Sequence, residues 1–203
     1  MLELIGALFA GFAAYLLAFA LGLVLGLGRL LETEGWRWAP GARWVLGAAG
    51  ATAGVGMLAV ELDAARAFWA GFVLYGVLDR RFRGACTVLP ALAMAGFVGW
   101  TALDGRRFFP LEILFVASGL SVADGLRARL RPVADHLPDR LALLVDREDW
   151  GWLLVASVQL AFFGWDWTLL LSIGAFHAGR RLTRRAGFQG RLRSWGLRPP
   201  IGA

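Results

Sequence analysis

Lysine is absent. All 21 basic residues are Arg, which excludes chemistry that needs a lysine amine: a retinal or pyridoxal Schiff base, or a P-loop lysine on a nucleotide phosphate. Cysteine occurs once, as Cys86, so the chain forms no internal disulfide and builds no cysteine-held cluster. His136 and His177 are too few for a histidine-rich metal or haem site. Met1-Leu2-Glu3 lacks the positive charge that opens a signal peptide, so the first apolar run is expected to belong to the mature protein. Charge is scarce as well. With 58% hydrophobic and 18% charged residues, the chain of 203 is too apolar for an ordinary soluble domain.

What is present is a set of long apolar runs. The first, Leu4–Gly28, carries small residues four apart at Gly6, Ala10, Ala14, Ala18, Gly22 and Gly26. At about 1.5 Å per residue this ladder covers roughly 30 Å, the hydrocarbon thickness of a bilayer. Small residues let a second helix approach closely, and close packing is what joins helices in lipid. Four residues turn about 400°, so successive rungs drift around the helix and cannot all meet one straight neighbour. A shorter ladder of the same kind is Ala91, Ala95 and Gly99.

The pattern predicts an all-α polytopic transmembrane bundle with 6–7 membrane segments in a single domain over residues 1–179. Spans are expected at about 4–28, 42–60, 64–78, 85–103 and 108–123. The second is again rich in small residues (Gly47, Gly50, Ala51, Gly54), and Trp36, Trp38 and Trp44 before it suit the headgroup level. Residues 124–149 form an interfacial segment. There Leu126, Leu130, Val133, Leu137, Leu141 and Leu144 trace one helical face, which Pro132 and Pro138 divide into a pair of short amphipathic helices.

Residues 151–179 read either as one long helix or as a short hairpin turning at Gly164-Trp165-Asp166-Trp167. Arg placement favours the hairpin. It puts every Arg except Arg66, Arg106 and Arg107 on one side, whereas a single crossing divides them almost equally. The N-terminus is then external, and 180–203 is an Arg-rich cytoplasmic tail. In it Arg180, Arg181, Arg184 and Arg185 are placed to meet anionic lipid headgroups. The membrane accounts for this charge without nucleic acid. The expected home is a bacterial or archaeal inner membrane.

Polar residues inside spans are costly and so are candidates for function: Glu112, Gln159 and Asp166. Near the loop, Asp124-Gly125-Leu126-Arg127-Ala128-Arg129 is followed by Asp135 and Asp139. This D-G-x-x-A-R core resembles part of the signature of the CDP-alcohol phosphotransferases, membrane enzymes that join an alcohol to a phosphatidyl group with a divalent metal. The resemblance implies Asp124 as a metal ligand, with Asp135 and Asp139 as a further ligand and the base. It spans only 124–139, and Ser121 stands where that family's first Asp would fall. Asp135, His136 and Asp139 are an alternative metal trio.

Three functions follow as expectations. The first is a non-catalytic subunit or assembly partner of a larger membrane complex, bound to membrane lipids and to another membrane protein. The second is a small transporter or transporter subunit. The third is the lipid phosphotransferase. Small-residue ladders together with a thin set of catalytic signals place the first ahead; the cofactor is left open.

Overall fold

A computed structural model describes residues 2–32, 34, 36–39, 41–60, 63–82, 84–103, 110–134, 149–163 and 167–196. Among these the architecture is helical. The helices are α1 (Leu2–Glu32), α2 (Ala42–Val60), α3 (Asp63–Leu78), α4 (Ala85–Leu103), α5 (Pro110–Ala134), α6 (Asp149–Phe163), α7 (Trp167–Leu182) and α8 (Ala186–Ser194). Three are long and apolar enough to cross a membrane: Phe9–Glu32 within α1, α2 and α4. Shorter apolar helices cover Ala65–Leu78 and Gly151–Phe163.

One element differs notably in extent from the sequence reading. Helix α5 does not stop at Ala123 but runs on to Ala134 with Pro132 inside its last turn. A proline there removes one hydrogen bond and restricts only the turn before it, so a helix ending two residues later tolerates it. Of the amphipathic face, Leu126 and Leu130 therefore ride on the end of α5; Leu137, Leu141 and Leu144 lie outside the described residues. Residues 151–179 form two helices, α6 and α7, on either side of 164–166. Trp152 near the start of α6 stacks on Phe176 near the end of α7, with centroids 5.3 Å apart, so the two run antiparallel.

Contacts between glycines and their neighbours set the helix directions. Gly50 meets Val24 and Gly56 meets Leu17, so α2 runs against α1. Gly50 also meets Pro90 and Gly54 meets Met94, so α2 and α4 run together. Gly71 faces Val116 across α3 and α5, and Gly119 faces Val155 across α5 and α6. The seven helices alternate up and down, and their neighbours form a ring: α1, α2, α4, α3, α5, α6, α7 and back to α1.

The ring closes where the first and seventh helices touch. At Gly22 any side chain would meet the carbonyl of Phe176, and at Gly179 it would meet the backbone of Phe19 and Leu23. A Cβ on Gly26 would fall 2.7 Å from Thr183 Oγ1. These backbones approach as closely as they do because no Cβ intervenes.

Helix α3 is the most enclosed. From Ala65 to Gly76 nearly every residue is buried, as expected of a helix with apolar residues all round. Its Phe68, Trp69 and Phe72 join Trp152 and Phe176 in one aromatic cluster, with Trp69 edge-on to Phe176 at 5.3 Å and Phe72 at 4.7 Å from Trp152. Such pairs add about 0.5–1.5 kcal/mol each beyond area burial.

Helix ends are satisfied by neighbours. Glu32 Oε1 accepts the Cys86 N–H at 2.9 Å, so the end of α1 caps the start of α4. Gly84 lies against that carboxylate, where a side chain would collide with it. Arg43 Nη2 donates to Leu31 O at 3.1 Å, and Arg66 Nε donates to Leu58 O at 2.7 Å, which satisfies terminal carbonyls of α1 and α2.

Replacing Gly22 with Val forces α1 and α7 apart. The expected cost is about 2 kcal/mol or more, typical of overpacking, read as a lower thermal midpoint in detergent. Gly11→Ala, with nothing within 4 Å of the added methyl, is expected to change the midpoint little. Equal midpoints for the two variants would refute the ring closure.

Candidate functional site

One end of the bundle gathers the loop after α1, the α3–α4 connection, the end of α5 and the tail. Asp124 lies there on α5, half-buried. Tyr75 from α3 donates its hydroxyl to Asp124 Oδ2, and Arg81 Nη2 donates to the same oxygen. Arg81 Nε also donates to Asp79 Oδ2 at 2.6 Å, and its guanidinium lies 5.0 Å from the Tyr75 ring centre.

This network depends on how α3 ends. Arg81 N–H bonds to Gly76 O and Arg80 N–H to Val77 O, the paired pattern of a Schellman cap. Arg80 holds the left-handed position at φ 51°, which a side chain occupies at a cost of about 1 kcal/mol. The turn aims Arg81 back across the helix end at Asp124.

Asp124 is therefore engaged by a cation and a phenol. Asp135, His136 and Asp139 lie outside the described residues, and Ser121 is exposed on α5. Among the described residues no three His, Cys, Asp or Glu side chains converge to hold a metal.

A second polar site lies inside the bundle. Glu112 in the first turn of α5 and Gln159 on α6 are both buried, and Gln159 Nε2 donates to Glu112 Oε1 at 2.5 Å. The two residues are 47 apart in sequence, and antiparallel packing of α5 on α6 brings them together. Asp166 is outside the described residues. His177 is buried near the other end of α7, against Trp152 at 4.8 Å.

Along the α1 ladder, Gly6 belongs to the first turns of the helix. Ala14 and Ala18 are buried, Ala10 is half-buried, and Gly22 and Gly26 face α7. The ladder's partners are Phe176 and Gly179 on α7 and Thr183 just past its end; Gly179 and Thr183 are again four apart, a spacing visible in the sequence. On α4 the ladder divides. Ala91 is buried, but Ala95 and Gly99 are exposed, and a Cβ on Gly96 or Gly99 would meet nothing within 4 Å. Leu92, Trp100 and Leu103 are exposed with them. Small residues on this face are thus not used among the described residues.

The basic tail stays at the Asp124 end. Arg180 sits 5.8 Å from the Phe176 ring, and Arg181, Arg184 and Arg185 are exposed. Leu192 of α8 is buried against Leu27, Leu30, Leu31 and Trp36, which ties the tail to the end of α1. Comparison with protein-family models, with curated proteins and with solved structures found no match.

Gln159→Leu removes the amide donor from a buried carboxyl group and is expected to destabilise by about 1–3 kcal/mol. Replacing both Glu112 and Gln159 with Leu removes the polar pair together and is expected to recover much of that loss. Thermal unfolding of the single and double variants in detergent checks the order; a double variant less stable than either single would contradict it.

Proposed function

We propose that the protein is a non-catalytic subunit or assembly partner within a larger membrane complex, and that all seven helices α1–α7 cross the bilayer. The observation that carries the first part is the open small-residue face of α4. Several span glycines are instead spent inside the chain: Gly22 and Gly26 on α7, Gly47, Gly50 and Gly54 on α4, Gly71 on α5; Gly11 and Gly174 are open like Gly99 but have no open glycine beside them. Ala95 and Gly99 offer the same flat surface outward, flanked by Leu92 and Trp100. A transmembrane helix of another protein can approach there as closely as α7 approaches α1.

Support for the crossings comes from the alternation of helix direction together with the Arg distribution. Helices α3, α6 and α7 are 16, 15 and 16 residues long. That is about 24 Å, short of a full hydrocarbon core, so their ends sit near the interface or the bilayer thins around them. With seven crossings all but three of the 21 Arg share the side of the tail. The positive-inside rule makes that side cytoplasmic, in a bacterial or archaeal inner membrane. Neither polar site favours a second reading: Asp124 is held by Arg81 and Tyr75, and Glu112 by Gln159.

Purification from native membranes in mild detergent, with mass spectrometry of whatever co-elutes, tests the assembly. A stoichiometric second membrane protein is expected, and Ala95→Leu with Gly99→Leu should lose it while the chain itself elutes unchanged. A wild-type chain that elutes alone with phospholipid would overturn the proposal. It would move attention to transport and to a metal- and CDP-lipid-dependent assay of wild type against Asp124→Ala.

For topology, a cysteine introduced near Met1 in a Cys86→Ser background should react with an impermeant thiol reagent added outside intact cells, and one in the tail should not. The reverse pattern rejects the assignment.

A further inference from the structure

A cavity of about 400 Å³ opens at the Arg-rich end, between the loop after α1 and the start of α2. Trp36, Arg37, Trp38, Arg43 and Trp44 line it, together with Gly41 at the head of α2. We propose that it binds the phosphate headgroup of an anionic membrane lipid.

The electrostatics of the walls have one sign. Among the described residues no acidic side chain lines the cavity, while two guanidinium groups do. The first turn of α2, whose amides carry the positive end of the helix dipole, contains no acid either. The acids nearest in sequence are committed elsewhere: Glu34 pairs with Arg29 at 3.3 Å, and Glu32 caps α4. Arg43 spends one amino group on Leu31 O at 3.1 Å, which fixes the side chain while its other donors stay available to a second acceptor. Guanidinium groups hold phosphate oxygens with paired, charge-assisted hydrogen bonds.

The walls are also held in place. Trp36 is buried in the cluster with Leu30, Leu31 and Leu192, and Arg193 lies 5.9 Å from its ring centre. Trp38 Nε1 donates to Trp195 O at 3.3 Å. The tail therefore braces the loop from behind.

Lipid, rather than a free anion, is indicated by what adjoins the cavity. Trp44 and Val45, 65% and 69% exposed, begin the outward face of α2, which continues through Ala48 and Ala49. A phosphate seated between Arg37 and Arg43 would leave an acyl chain lying along that apolar strip. Trp38 and Trp44 at the rim suit the depth of the headgroups. The site is separate from the exposed Arg181, Arg184 and Arg185 of the tail, which share the same end of the bundle without lining the cavity.

Full-length protein in a neutral detergent is titrated with phosphatidylglycerol or phosphatidylcholine, and bound lipid is counted by native mass spectrometry. One phosphatidylglycerol is expected to be retained in preference to phosphatidylcholine. Arg37→Gln, at an exposed side chain, should weaken retention roughly tenfold or more, the scale of a lost charge-assisted contact. Arg181→Gln with Arg184→Gln should leave it unchanged. Arg43→Gln should act like Arg37→Gln; because Arg43 also caps α1, the Arg37 variant is the deciding one if the Arg43 variant misfolds. Retention unaffected by Arg37→Gln overturns the site. Displacement by inorganic phosphate at concentrations equal to the lipid overturns the lipid assignment.

Discussion

Helices in lipid gain nothing by hiding apolar surface from each other, because acyl chains are as apolar as leucine; what holds them is how closely they pack. In this bundle the closest approach is between α1 and α7, where Gly22, Gly26 and Gly179 leave the two backbones in contact. That contact joins the first helix to the last and closes the ring. Helix α3 is itself a member of the ring, and its Phe68, Trp69 and Phe72 are buried across it against Trp152 and Phe176.

The same contact fixes a relation between topology and charge. Parallel packing of α1 and α7 requires that α6 and α7 form a hairpin. The hairpin in turn carries the tail to the end where Arg29, Arg37, Arg43 and Arg81 already lie. Docking of α8 on α1 through Leu192 then assembles a basic surface from segments far apart in the chain. Polar contacts serve as local locks on this frame. Arg81 spans Asp79 and Asp124, Glu32 caps α4, and Gln159 meets Glu112 between α5 and α6.

Much of the secondary structure was legible. The expected spans 42–60 and 85–103 coincide with α2 and α4, because apolar runs bounded by charge have sharp ends. The end of α5 was harder to place. A composition change at Asp124 reads as a boundary, but a helix continues into water as readily as it stops when its residues have adequate propensity. The choice between one helix and a hairpin rested on the Gly164-Trp165-Asp166-Trp167 turn signal and on the Arg count, the second a global property rather than a local one.

The candidate sites divide the same way. That Glu112 and Gln159 are unusual polar residues in apolar surroundings follows from composition and spacing alone, and Asp124 stands out through its D-G-x-x-A-R pattern. That Glu112 lies on Gln159, and Asp124 on Tyr75 and Arg81, does not: each pair is separated by more than 40 residues and meets only through helix packing. Small residues at Ala95 and Gly99 and at Gly22 and Gly26 look alike in sequence. The fold decides that one pair is consumed inside the chain and the other faces out, because facing direction depends on which neighbours surround a helix. Sequence by itself determined a helical chain with membrane-scaled apolar runs, since hydrophobic run length is a local quantity. Which faces touch and which polar groups meet were decided only by the tertiary structure, since these depend on distances between segments that the chain order does not encode.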